Sequence, residues 1–135
     1  MTPARDGVRR RRVHRAAVGT QVVLYAGVGV LKLVRTPQQL HDDLGFRWAA
    51  TFPAWAVRGI AASELAAAAA LALPPRSARR ARLAELATYG LALLQAGAAV
   101  VDVRSGEPER LPVNAGLLGL AVLCGRTAPR PGLPR

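Results

Sequence analysis

The chain is short of almost every residue on which redox or hydrolytic chemistry is usually built. Its 135 residues include one cysteine, Cys124. No intramolecular disulfide, thiol pair or cysteine-rich metal site can form, which excludes an oxidoreductase that works through cysteine pairs. Two histidines, His14 and His41, lie in different parts of the chain. They are too few for a metal or haem centre within one chain. Aromatic residues make up 4%, which leaves few bulky side chains to line a wide ligand pocket. No glycine-rich nucleotide loop, nucleophile–base pair or metal-ligand spacing is present.

What the chain has instead is apolar length. Hydrophobic residues account for 51%, and they fall into four blocks separated by arginine-rich segments that bring the formal net charge to +11. The stretch Phe52–Leu73 organises the rest. It is as long as the ~20 residues a helix needs to cross a bilayer, and it carries one carboxylate, Glu64, near its middle. Pro53 suits a first helical turn, and Pro74-Pro75 ends the helix because proline lacks a donor and clashes with the preceding turn. Counting from Ala54 at ~1.5 Å per residue puts Glu64 roughly 15 Å deep, near the midplane.

The remaining blocks follow in order. Met1–Arg15 is a basic arm with six arginines, expected on the cytoplasmic side, and 16–34 is the first span. A basic segment before an apolar run also describes a secretory or twin-arginine signal. The block is span-length, however, and Lys32, Leu33, Val34 and Arg35 follow in place of a small-residue cleavage site, so a retained helix is expected. Thr36-Pro37 reads as a helix cap followed by proline, with Leu40 and Leu44 one turn apart. A short interfacial helix is expected there, ended or bent by Gly45. After the second span, 52–73, four arginines (Arg76, Arg79, Arg80 and Arg82) precede a third at 83–103. The fourth and shortest is 111–125, and 127–135 reads as a disordered basic tail. Trp48 and Trp55 are expected as interface anchors.

The loops set orientation. Six arginines lie before the first span, four between the second and third, and three after the fourth. The other two loops hold Arg35 and Arg47, then Arg104 and Arg110, with acids beside them. Basic residues accumulate on the cytoplasmic side of short loops. The pattern predicts an all-α, integral membrane, antiparallel four-helix bundle with both termini in the cytoplasm. The positive charge then needs no nucleic acid to explain it. Small residues (Gly27 and Gly29, Gly59 and Ala66–Ala70, Gly90 and Ala96–Ala99) supply the smooth surfaces on which helices pack in lipid.

Polar residues inside the spans are the candidate chemistry. Glu64 and Gln95 both fall near mid-depth. One reading is a protonated carboxyl hydrogen-bonded to Gln95 that specifies packing; the other is a proton-carrying or ligand-binding carboxylate. Lys32, Arg58, Asp102 and Asn114 fall toward the outer ends of their spans, where with His41 and Asp42 they would make one polar cluster. Snorkelling anchors, with Asp102 paired to a cation, are one account of it. A shallow site for an anionic or quinone-like headgroup, with Lys32 and Arg58 as donors, is the other.

Several stretches resemble the DoxX-like family of small four-helix membrane proteins. They are Ala26-Gly27-Val28-Gly29-Val30-Leu31-Lys32-Leu33, Leu44-Gly45, Arg58-Gly59-Ile60-Ala61-Ala62-Ser63-Glu64-Leu65, Gln95-Ala96-Gly97-Ala98, Pro112, Asn114 and Gly125-Arg126. They stand in the family's order over residues 16–126. The resemblance implies a four-helix protein of the bacterial inner membrane. It is linked by name to a subunit of thiosulfate:quinone oxidoreductase, and some members associate with redox proteins. Lys32 and Glu64 match the family's lysine and glutamate, whereas Asp102 stands near where many relatives have a histidine, which weakens a metal or haem proposal there. The expected role is a non-catalytic or quinone-proximal partner of a membrane redox system, in the lipid bilayer, without a cofactor of its own. A second copy of the chain is a further candidate partner, and a proton-coupled small-molecule transporter using Glu64 and a structural or assembly protein are the alternative functions.

Overall fold

The structure, a computed structural model, describes residues 3–128. Among them there is no strand; five helices account for most of the chain. These are α1 (Pro3–Val34), α2 (Pro37–Leu44), α3 (Ala54–Ala72), α4 (Ala78–Arg104) and α5 (Leu111–Thr127), with 3-10 turns at Arg47–Thr51 and Pro108–Arg110. The segments Asp6–Val34, Ala54–Ala72 and Ala78–Arg104 are each long and apolar enough to cross a membrane. The fourth apolar block forms α5, whose 17 residues rise about 25 Å, a few ångströms short of a hydrocarbon core.

Helix ends follow local chemistry. The basic segment continues as helix into the first apolar block, since arginine is a good helix former and no proline interrupts it after Pro3. Thr36 caps α2 with a complete capping box. Its hydroxyl accepts from the Gln39 amide at 3.2 Å, and the Gln39 side chain accepts from the Thr36 amide at 2.9 Å. Gly45 closes α2 in the left-handed conformation, φ 66°, where a side chain would be strained. Pro53 is the residue that caps α3, one position before its first turn, and Leu73 turns extended ahead of Pro74. Ser77 caps α4 through the Arg80 amide. Of the expected tail, Thr127 ends α5, and residues 129–135 lie outside the described part of the chain.

The α1 helix packs on α3 and α5, and α4 packs on the same two, so the long helices touch in the cyclic order α1–α3–α4–α5. Each buries a narrow stripe. On α3 it is Val57, Ala61, Glu64, Ala68 and Leu71, spaced by three and four residues. Tyr25, Ala68, Leu71 and Leu91 make one apolar cluster at the centre. A second, formed by Leu40, Ala49 and Val57, lies under Phe46, Trp48 and Phe52, so the α2 segment folds back onto the packed helices. Gly29 marks where α1 and α3 come closest. A Cβ there would sit 2.9 Å from Leu65 Cγ and 3.2 Å from the Ala61 carbonyl oxygen.

Candidate functional site

The Lys32 side chain, from the chain's one lysine, turns inward and donates to Glu64 Oε1 at 2.6 Å. Both residues are buried, at 6% exposure each. The α1 register places Lys32 on the same stripe as Gly29, and the small residue lets α3 approach closely enough for the ammonium to span the gap. The Trp48 ring lies 5.4 Å from Lys32 Nζ, close enough for its negative face to attract the cation. Trp48 stands edge-on to Phe46 and Phe52, and this aromatic layer covers the pair on the α2 side. A charge in hydrocarbon is costly, and here each charge is offset by the other.

The pair leaves one carboxylate oxygen over. Glu64 Oε2 is buried and has no hydrogen-bond partner among the described residues. The Tyr25 hydroxyl, within electrostatic reach of Glu64 and beside Gln95, is also without a partner, as are both amide atoms of Gln21. Gln21 is fully buried and Tyr25 is nearly so.

The outer residues do not gather into one cluster. Asp102 accepts from Asn114 Nδ2 at 2.6 Å, both side chains buried. The partner of Asp102 is thus an amide rather than a basic residue, because α5 starts directly across the turn from the end of α4 and brings Asn114 within reach. Arg58 is exposed on the outside of α3, about 120° around the helix from Glu64. His41 is half-buried and pairs with the adjacent, exposed Asp42 at 2.7 Å. The hydrogen bonds from His41, then Gln38, hold the Asp42 carboxyl below the ordinary carboxylate range. Among the described residues no hydrogen bond or ion pair joins Lys32, Arg58, Asp102 and His41 to one another. Gln95 is buried on α4, but no hydrogen bond links it to Glu64; Lys32 takes that place.

The sequence reading missed two features. Gln21 and Tyr25 lie eleven and seven residues before Lys32, whole numbers of helical turns, so counting back along α1 finds them. Glu107 is buried to 1% and accepts from Arg110 Nε at 3.0 Å. The Arg110 guanidinium also bonds the Gly45 carbonyl and lies 4.7 Å from the Phe46 ring, tying the α4–α5 turn to the α2 segment. The i, i+3 spacing of that pair was its only signal.

The arrangement can hold a carboxylate in place, accept one further hydrogen bond or proton at Oε2, and offer a phenol within electrostatic reach of it. Among the described residues no three His, Cys, Asp or Glu side chains converge to hold a metal ion. No curated protein and no solved structure matches the chain. The model of the DoxX-like family matches residues 16–124, which takes in α3, α4, both buried polar pairs and the Gln21–Tyr25 row. The chain belongs to the DoxX-like family of membrane proteins.

Proposed function

We propose that the protein is a multi-pass protein of the bacterial inner membrane that serves as a non-catalytic, quinone-proximal partner or subunit of a membrane redox system. In this reading α1, α3, α4 and α5 form an antiparallel four-helix bundle with both termini in the cytoplasm. The bonds from Arg10 to the Arg126 and Ala128 carbonyls, which bring the start of α1 to the end of α5, support an even number of crossings. The arginine-rich loops support the orientation, since basic residues stay on the cytoplasmic side. A few ångströms of mismatch at α5 cost fractions of a kcal/mol per Å.

The observation that carries the function is the buried Lys32–Glu64 pair with its unpartnered Glu64 oxygen. Ionisable groups inside membrane helices mark ligand or proton sites more often than packing devices. A carbonyl-bearing ring such as a quinone headgroup matches the donors Lys32 and Tyr25, and the chain has no redox side chain that would make it the catalyst. Tagged protein purified in mild detergent from native membranes tests this by mass spectrometry and a haem and flavin absorbance scan. A stoichiometric oxidoreductase, lost with Glu64→Gln, supports the reading; a clean protein with no partner and no chromophore sinks it. A second reading, a proton-coupled transporter, is favoured by the same free oxygen. Proton-coupled uptake in vesicles that Glu64→Gln abolishes would select it.

A further inference from the structure

The apolar part of α1 carries one row of polar side chains. At 100° per residue, His14, Gln21, Tyr25 and Lys32 fall within about 40° of one another, on the face that packs against α3 and α4. From His14 to Lys32 the row rises about 27 Å, close to the thickness of a hydrocarbon core. His14 is half-buried at the arginine-rich end, where its Nδ1 lies 3.1 Å from the Thr127 hydroxyl at the end of α5. Lys32 and Glu64 stand at the other end, under Trp48.

The middle of the row is where its chemistry is unresolved within the chain. Four buried polar atoms along it have no hydrogen-bond partner among the described residues: Gln21 Nε2 and Oε1, Tyr25 Oη and Glu64 Oε2. A buried, unbonded amide or hydroxyl carries the full penalty of its lost hydration. An apolar helix has no packing reason to retain two such groups one turn apart, since leucine and phenylalanine fill the same space. Together these atoms include both donors and acceptors, which bridging water satisfies with two to four bonds per molecule. Gln95 on α4 lies beside the Tyr25 hydroxyl, and the other cluster residues around it (Ala68, Leu71 and Leu91) are small or apolar.

We propose that Gln21, Tyr25 and Glu64 Oε2 bind a file of water that gives Glu64 solvent access from the His14 end of the helices. The aromatic layer of Phe46, Trp48 and Phe52 closes the file on the far side. The inference goes beyond the redox and transport readings and rests on neither, since it concerns which side of the membrane reaches Glu64.

A single native cysteine makes the test direct. In a Cys124→Ala background, three reporters are introduced singly: Gln21→Cys and Tyr25→Cys on the row, and Val23→Cys on the outer face, where Val23 is 72% exposed. Silver ion, small enough to follow a file of water, is added to spheroplasts or to inverted vesicles, and the thiols left free are counted with maleimide after denaturation. Whichever preparation exposes an N-terminal tag to protease defines the side of the termini. Both row reporters are expected to react at least about tenfold faster than Val23→Cys, and only from the termini side. If one row variant does not run as a monodisperse species, the other carries the comparison. Row reporters no faster than Val23→Cys overturn the file; equal reaction from both sides, or reaction from the far side alone, overturns the closure at Trp48. The pull-down result is independent of either outcome.

Discussion

Two buried polar pairs hold the helices together, and they differ in what they leave over. Lys32–Glu64 joins α1 to α3, and Asp102–Asn114 joins α4 to α5, each at 2.6 Å. Asp102 and Asn114 face each other across a six-residue turn, and the Asp102 carbonyl also accepts from the Glu107 amide at 2.8 Å. Everything around that pair fastens a connection: Glu107 to Arg110, and Arg110 to Gly45. The Lys32–Glu64 pair joins helices separated by the whole α2 segment, sits beneath an aromatic layer and borders a row of unpartnered polar atoms. Around Asp102–Asn114 one buried atom, Glu107 Oε2, lacks a partner among the described residues, and the other oxygen of the same carboxylate is held by Arg110 within the turn. Around Lys32–Glu64 four such atoms follow one row, which leaves room there for chemistry.

The largest effect that separates the two comes from cutting the charged pair. Removing one partner of a buried ion pair leaves the other charge uncompensated, a loss of about 3–5 kcal/mol, whereas replacing both by apolar residues is often near neutral. Lys32→Met and Glu64→Leu are each expected to lower stability by that amount in reversible detergent-to-denaturant titrations. The double variant should recover most of it. If the double variant is as unstable as the singles, the pair is not an isolated two-body interaction and the contrast with Asp102–Asn114 fails.

Asp102→Ala removes the acceptor of a charge-assisted hydrogen bond, worth about 1.5–3 kcal/mol. The loss should appear in the same titration, with co-purification of any partner protein unchanged. Loss of a partner together with a small stability change would move Asp102 from the fastener class into the site.

The third test concerns the surface on which the charged pair is built. Gly29→Ala pushes a Cβ against Leu65 and the Ala61 carbonyl, and overpacking of this kind costs about 1–3 kcal/mol. Gly27→Ala meets nothing within 4 Å and should be neutral or slightly stabilising, because alanine is the better helix residue. Equal effects at the two glycines would remove the argument that close α1–α3 approach is what brings Lys32 to Glu64.

The helices and their caps were largely legible in the sequence, because length, apolar content, proline and the Thr36–Gln39 box are local signals. The family was legible for the same reason: its motifs are short, ordered and carried on those helices. The partners were not. The inward turn of Lys32 depends on α1 and α3 approaching at Gly29, and the Asp102–Asn114 bond depends on the path of the α4–α5 turn. Both are tertiary facts. Gln21 and Tyr25 lay within reach of the sequence, since their spacing from Lys32 is helical, but two isolated polar residues in an apolar block carry weight only once their burial is known. Snorkelling was the natural expectation for Lys32 near a span end; the aromatic layer over it shows why the ammonium stays in.

The smallest expected effect lies outside both pairs, where a surface ion pair offers the control. Arg35 bonds Asp43 at the base of α2, with their side chains 38% and 52% exposed. Water screens both charges, and exposed pairs contribute roughly 0.2–1 kcal/mol. Arg35→Ala is therefore expected to shift the unfolding midpoint within that range, with the shift shrinking in high salt because exposed charges are screened. The Lys32→Met loss should depend far less on salt, since buried pairs are screened much less than exposed ones. Measuring both variants at low and high ionic strength turns the contrast into a ratio. A salt-sensitive Lys32→Met loss would mean that bulk ions screen the charged pair as they screen Arg35–Asp43, and the contrast between a buried and an exposed pair would then fall.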